Sequence, residues 1–243
     1  MFALYLKEIK SFFNSIIGYV IIGVFLLMSG LFLWGFKMQT NIFEMRHATL
    51  QSFFDLAPWL FLFLIPALTM RTFSEERKSG TMELLLTHPV SDTQLVLSKF
   101  LACETLLLIT LLPTLIYVFS VWKLGDPVGN IDLGSTCGSY IGLFLLGTIF
   151  ITIGIFASAI THNQIVAFVL GATFCFLLHF GFEFIYNLDT FGNFGFFIKK
   201  FGIQHHYSAI STGVIDTRDI IYYITVSFLF LLGTRISLLS RKW

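Results

Sequence analysis

Residues 71–92 read RTFSEERKSGTMELLLTHPVSD, and this stretch interrupts a chain that otherwise consists mainly of long apolar runs. It carries seven charged side chains, which are Arg71, Glu75, Glu76, Arg77, Lys78, Glu83 and Asp92. The Ser-Gly-Thr sequence at 79–81 supplies a helix break and an N-cap, and Pro89 ends the short helix that follows. The leucines of that helix, at 84–86, would be exposed in a solvated loop, so we expect a partner surface to cover them.

A second helix start follows this segment directly. Ser91 and Gln94 form a capping-box pattern, and Val90 and Leu95 occupy the positions of a hydrophobic staple. The pattern predicts a capped helix that runs on into the next apolar stretch. Residues 73–97 are therefore predicted to form a connector with helical structure of its own between two membrane helices.

The composition of the whole chain is that of a membrane protein. Of its 243 residues, 56% are hydrophobic and 12% are charged, and the mean hydropathy is +0.83. A soluble domain has roughly 25% charged residues, so a soluble globular enzyme and a disordered chain are excluded. The net charge of +1 gives no electrostatic footprint for nucleic acid. Cys103, Cys137 and Cys175 suggest neither a disulfide framework nor a metal-binding pair.

The apolar runs between charged residues predict an all-α integral membrane protein with six transmembrane helices, because each span needs about 20 apolar residues. The predicted spans lie near residues 16–36, 54–72, 98–121, 136–160, 164–186 and 220–240. Pro58 and Pro66 interrupt the second span, but neighbouring helices can satisfy the carbonyls they free. A tight polar turn at 161–164 joins the fourth and fifth spans. The whole chain, 1–243, is predicted to be a single membrane domain.

An even number of spans places both termini on one side of the membrane. With the termini in the cytoplasm, nine of the 15 Lys and Arg residues fall on the inner side, which favours this orientation. Residues 1–14 alternate apolar and charged positions at helical spacing, which predicts an interfacial helix; the alternative is a simple extension of the first span. Residues 187–219 are too long for a plain connector and predict one or two extracytoplasmic re-entrant or interfacial helices. A surface helix without a mechanistic role is the alternative there.

The connector resembles the signature loop of ABC-2 type transporter permeases. The resemblance is carried by Glu75-Glu76-Arg77, by Gly80-Thr81-Met82-Glu83-Leu84-Leu85, by Pro89-Val90-Ser91 and by Lys99-Phe100-Leu101. A second motif, GVIDTRD at 213–219 before the last span, is similar to the gliding-motility-associated permease subunits of the GldF type. The copper-linked permeases of nitrous-oxide reductase maturation are near relatives of that group. The resemblance covers essentially the whole chain.

This resemblance implies a non-catalytic membrane subunit of an ABC transporter in a bacterial inner membrane. The connector would dock on an ATPase, two copies of which would bind ATP and Mg²⁺, while this chain itself would bind no cofactor. The implied coupling residues are Arg71, Glu75, Glu76, Arg77, Lys78, Gly80, Thr81, Glu83, Leu84, Leu85, Leu86 and Pro89. The absence of a G-x-x-x-x-G-K-[ST] motif from the sequence agrees with ATP hydrolysis on a separate chain. A second permease subunit is favoured over a homodimer, and membrane lipid surrounds the complex.

Other readings of the sequence remain open. Glu104 and Glu183 lie within or at the rim of predicted spans, where ionisable groups are candidates for lining a substrate path. His205 and His206 could bind a metal or transfer protons, although a hydrogen-bonded loop is the simpler interpretation. The function could also be that of an energised scaffold that transmits motion to extracytoplasmic partners without moving cargo. A copper or maturation-type permease is a further alternative, and an integral-membrane enzyme is a distant one.

Overall fold

The computed structural model describes residues 1–45, 47–81, 91–187 and 193–239, and all the regular structure in these ranges is helical. Six helical segments there are long and apolar enough to cross a membrane. They are Ile16–Gly35, Gln51–Lys78, Asp92–Leu124, Leu133–Ile160, Gln164–Asn187 and Thr217–Leu239. The predicted all-α architecture with six spans is therefore confirmed.

Some of these segments are divided by a turn or a change of helix type, and shorter helices lie between them, so the described ranges contain thirteen α-helices. They are α1 (Phe2–Asn14), α2 (Ile16–Gly30), α3 (Ile42–Met45), α4 (Gln51–Thr69), α5 (Arg71–Lys78), α6 (Asp92–Leu111), α7 (Leu115–Leu124), α8 (Leu133–Ile160), α9 (Gln164–Phe176), α10 (Phe182–Asn187), α11 (Asn193–Lys199), α12 (Ile203–Ile210) and α13 (Thr217–Leu239). A 3₁₀ turn joins α6 to α7, and π-helical turns at Leu31–Gly35 and Leu177–Gly181 extend α2 and α9.

Short polar residues set the helix starts. Ser91 and Gln94 form the predicted capping box at the start of α6. The Asp132 carboxylate accepts a hydrogen bond from the backbone N–H of Ser135 at 3.0 Å and caps α8. Asn163 caps α9 in the same way, within the polar turn that was predicted between the fourth and fifth spans.

The second and third spans extend further than the apolar runs indicate. Helix α4 continues through both internal prolines, and α5 carries the second segment on to Lys78, beyond the predicted end at residue 72. Helix α6 begins at Asp92, before the predicted start at residue 98. The charged residues at these two ends are helical, because a residue's backbone can form helical hydrogen bonds whether or not its side chain is charged.

Helix α8 is the central element of the bundle. It packs against α4, α6, α9 and α13 and also contacts α5 and α12. Gly142 leaves room for Ile210 of α12, and a Cβ atom at Gly138 would lie 2.9 Å from the carbonyl oxygen of Gly213. Gly138 and Gly142 therefore allow α8 to pack closely against the segment from α12 to the following turn rather than against another span.

The same helix defines two ends of the molecule. Ser139 of α8 donates a hydrogen bond to the carbonyl of Ser211, just after α12. Ser158, 19 residues later in the numbering, contacts α5. At 1.5 Å per residue these contacts lie about 28 Å apart along α8, close to the thickness of a bilayer core. We refer to the end with α1 and α5 as the charged end and the end with α12 as the distal end.

Candidate coupling site at the charged end

Helix α5 is fastened to the end of α8 by one hydroxyl group. The Ser158 oxygen accepts hydrogen bonds from the backbone N–H groups of Phe73 at 3.0 Å and Ser74 at 3.1 Å, and it donates to the carbonyl of Met70 at 2.9 Å. Phe73, Ser74 and Ser158 are fully buried. A buried backbone N–H without an acceptor is costly, so this hydroxyl fixes the point where α4 turns into α5.

A cluster of four charges, centred on the buried Lys99, joins α5 to two other helices. The Lys99 ammonium of α6 is 1% exposed and lies 2.9 Å from Glu76 Oε1 and 3.1 Å from Glu8 Oε1. Lys7 approaches the same Glu76 oxygen at 3.4 Å, and the ring of Phe73 lies 5.1 Å from the Lys99 nitrogen. We call Lys7, Glu8, Glu76 and Lys99 the ion cluster. It links α1, α5 and α6, and its formal charges sum to zero.

The electrostatics of the ion cluster make its members interdependent. An ammonium group that leaves water is stable only when anionic partners compensate it. Lys99 has two such partners, which come from residues far away in the sequence. Removing Lys99 would leave two carboxylates close together with only the half-exposed Lys7 to balance them.

Several other polar residues of α5 and the following turn are partly or fully exposed. Arg71 pairs with Glu75 across one helical turn at 3.0 Å and reaches the Ser15 hydroxyl at 3.4 Å. Glu75 and Lys78 are exposed, and Gly80 ends the helix with a φ of 70°. A further set of exposed polar atoms belongs to Ser79 and Thr81.

A cleft of about 270 Å³ separates α1 from α5. Its walls include the ion cluster and the Arg71–Glu75 pair, together with the hydroxyls of Ser11 and Ser15. Cationic and anionic groups are mixed in these walls. The cleft is therefore suited to polar protein side chains of either charge.

Arg77 differs from the other charged residues of α5. It is 9% exposed, and none of its three guanidinium nitrogens has a hydrogen-bond partner in the described part of the chain. It therefore cannot act as a freely exposed rim charge in this conformation. Glu83, Leu84, Leu85, Leu86 and Pro89, which the sequence analysis assigned to the same site, lie outside the described residues.

The two candidate path-lining acids lie apart. Glu104 is buried on α6, about 7.5 Å along the helix axis from Lys99, and both of its carboxylate oxygens lack a hydrogen-bond partner among the residues described. Glu183 is half-buried on α10, near the C-terminal end of the fifth span. The structure does not bring them into one site, so each keeps its candidate role separately.

The paired histidines are engaged in the distal segment. His206 Nδ1 lies 2.7 Å from Asp219, and its Nε2 lies 2.8 Å from the carbonyl of Lys200. Partial burial, followed by the proximity of His206, lowers the pKa of His205. Within the described ranges, no group of three His, Cys, Asp or Glu side chains is close enough to hold a metal ion.

Sequence reasoning missed the two residues at the centre of the ion cluster. In the sequence, Lys99 stands out only as part of the family motif, and Glu8 only as one of the polar positions of a predicted interfacial helix. The available signal was the placement of Lys99, a single charge in the apolar start of the third span. A charge in that position needs a partner, although the sequence does not say which acid supplies it.

One family of known proteins matches the chain over nearly its whole length. The family described as "ABC-2 family transporter protein" matches residues 6–236, a range that contains the ion cluster, α5, the first five spans and most of the sixth. No curated protein matches the chain.

Proposed function

Because the chain belongs to the ABC-2 transporter family, we propose that it is the membrane-spanning permease subunit of an ATP-driven transporter whose ATP is hydrolysed by separate ABC ATPase subunits. The six spans supply a transmembrane body, and the sequence contains no P-loop. The chain's own part in the cycle is then mechanical. It receives motion from the ATPases and converts it into a rearrangement of its spans.

The ion cluster is the observation that carries this proposal. Because its ion pairs join α5 to α1 and α6, a displacement of α5 would also displace those two helices. Ser158 links α5 to α8 in addition. Interfaces of this kind shift between discrete packings rather than deforming smoothly. A push on α5 would therefore move four helices together instead of bending one loop.

We assign the ATPase-docking surface to the exposed residues beside this cluster. Glu75, Lys78, Gly80 and Thr81 provide a polar rim, and we propose that Glu83, Leu84, Leu85, Leu86 and Pro89 complete the surface with an apolar centre. Leucines that fill a groove in the ATPase would supply most of the binding energy, because apolar burial dominates such contacts. Rim charges would contribute chiefly to orientation.

Capture of the ATPase by the purified permease tests the docking surface. Leu85→Asp places a charge at the apolar centre, and Lys78→Glu reverses an exposed rim charge. We expect Leu85→Asp to abolish capture and Lys78→Glu to weaken it, more strongly at low salt. Lys123→Glu, an exposed charge reversal on α7, is the matched control. Full capture by Leu85→Asp at wild-type levels would refute the docking assignment.

We further propose that this subunit serves the gliding-motility-associated branch of the family, with two ATPase copies and a second, different permease subunit in the bacterial inner membrane. The GVIDTRD motif before the last span supports this branch. Purification of the tagged chain from its native membrane would test the composition. A second permease subunit at equal stoichiometry is the expected result, and a complex that contains only this permease chain would contradict it.

A further inference from the structure

A polar cavity lies at the distal end, on the opposite side of the bundle from the proposed ATPase contact. It has a volume of about 240 Å³ and lies between the start of α4, the π-helical turn of the fifth span and α12. Its lining includes Asp55, Trp59, His179, Gln204, Tyr207 and Ser211. Neither the ion cluster nor α5 contributes to it.

His179 is the unusual residue of this cavity. It is 1% exposed, and neither ring nitrogen has a hydrogen-bond partner among the described residues. The ring is held edge-on between Phe180, at a centroid distance of 4.4 Å, and Phe150, at 5.7 Å. Its position within the Leu177–Gly181 π-helical turn is also informative, because such turns occur frequently at functional sites. A buried imidazole without a partner is costly unless a bound group completes its hydrogen bonds.

The charge of the lining favours a cation. Among the residues that the structure describes, Asp55 is the only acidic one that lines the cavity, and no Lys or Arg lines it. One Asp55 oxygen accepts a hydrogen bond from the Gln51 amide at 3.0 Å, which leaves the second carboxylate oxygen available. An anionic ligand would meet this carboxylate without any compensating positive charge.

The aromatic part of the lining points to the same class of ligand. Trp59 and Phe180 are stacked with their centroids 4.4 Å apart, and Trp59 is 48% exposed. The face of an indole attracts ammonium groups. The Tyr207 hydroxyl is already used, since it donates to the carbonyl of Phe54 at 2.6 Å. The Tyr207 ring therefore serves as a wall of the cavity, and its hydroxyl hydrogen is not directed at the ligand.

We propose that this distal cavity binds a protonated amine, with Asp55 pairing with the ammonium group, a ring nitrogen of His179 accepting one of its hydrogen bonds and Trp59 contacting it through the indole face. An ammonium group carries donors only, and this lining offers a carboxylate, an imidazole nitrogen, an amide oxygen and hydroxyl oxygens as acceptors. A volume of about 240 Å³ accommodates an aminoethyl group. Such an amine is present both in small free molecules and in aminophospholipid headgroups.

Binding to the purified full-length chain in detergent tests the assignment. Ethanolamine, followed by calorimetry, represents the free amine, and short-chain phosphatidylethanolamine, followed by native mass spectrometry, represents the headgroup. Short-chain phosphatidylglycerol is the comparison lipid without an amine. Binding of ethanolamine identifies a free-amine site, and binding of phosphatidylethanolamine alone identifies a headgroup site. Binding of neither amine, or equal binding of phosphatidylglycerol, would overturn the proposal.

Variants tie the binding to this cavity. Asp55→Asn should weaken amine binding about tenfold or more, because a hydrogen bond to a charged group is lost. His179→Phe keeps an aromatic ring at this position but removes both ring nitrogens, and it should also weaken amine binding. Glu44→Gln removes an exposed acid on α3 and should leave binding unchanged. Unaltered binding by Asp55→Asn in a folded sample would overturn the assignment. No ATPase is involved, so failure here leaves the coupling proposal intact.

Discussion

At the scale of single residues, Lys99 is the side chain on which the charged end depends most. Replacement by Met keeps much of its volume and removes the ammonium group, which leaves Glu8 and Glu76 buried without their main partner. We expect the variant to lose about 3–5 kcal/mol of stability, because breaking a buried ion pair leaves an uncompensated charge. Thermal unfolding in detergent would measure this loss.

A double variant separates lost attraction from lost packing. In Lys99→Met combined with Glu8→Gln, one of the two stranded carboxylates is also neutral, so part of the stability should return. Lys123→Met changes an exposed lysine and should have little effect. If the single and double Lys99 variants are equally unstable, the ion pair is not what holds α1 against α6.

Ser158 supports a second residue-scale prediction. In Ser158→Ala the backbone N–H groups of Phe73 and Ser74 lose their acceptor, which should cost about 1–3 kcal/mol. Hydrogen exchange at these two amides should become faster while exchange in the middle of α8 stays slow. Ser120, a partly exposed serine whose hydroxyl donates to the Ile116 carbonyl in its own helix, is changed to Ala as the matched control. Unchanged exchange at Phe73 would rule out the proposed fastening of α5.

The residue contacts show where sequence reasoning ends. The charged connector and its glutamates were found because their pattern is local. The pairing of Glu8 with Lys99 spans 91 positions, and only the packing of α1 against α6 brings the two together. His179 is an ionisable residue within an apolar run, which makes it a candidate for function, but the sequence does not show which residues surround it.

At the scale of elements, the contact between α8 and α12 depends on a missing side chain. A Cβ atom at Gly142 would collide with Ile210, so Gly142→Ala should push α12 away and cost about 1–3 kcal/mol. At Gly23 nothing lies within 4 Å of the added atom, so Gly23→Ala should leave stability unchanged or raise it. Thermal unfolding of the two alanine variants makes the comparison. Equal stability of the two variants would contradict the close packing.

Helix positions were more predictable than helix ends. Length and apolar content identify a span because the bilayer sets both. The capping box at Ser91 and the turn at Asn163 were also predictable, because they are local hydrogen-bonding patterns. The predicted C-terminal end of the second span comes too early, and the predicted start of the third span comes too late. Tertiary contacts such as the ion pair between Glu76 and Lys99 stabilise charged helical turns that composition assigns to loops.

At the scale of the whole molecule, α8 connects the two sites. It contacts α5 near Ser158 and the α12 segment near Ser139. The three helices that would move with α5, which are α1, α6 and α8, therefore include the one against which α12, a wall of the proposed amine cavity, is packed. A rigid shift of α8 would alter both ends together, so a ligand that favours one arrangement at the distal end would bias α5 by the same free energy.

The proposed orientation of the molecule gives the final prediction, because an ATPase can reach α5 only if the charged end faces the cytoplasm. Lys78 and Asp126 are exposed at the two ends, and each can be replaced by Cys in a Cys137→Ser background, since Cys103 and Cys175 are buried. A thiol reagent that cannot cross membranes should label Asp126→Cys in intact cells and Lys78→Cys only after the membrane is opened. Nine of the 15 basic residues lie on the side predicted to be cytoplasmic, which is the physical basis for this assignment. Labelling of Lys78→Cys in intact cells would place α5 outside, where no ATP-hydrolysing partner could reach it.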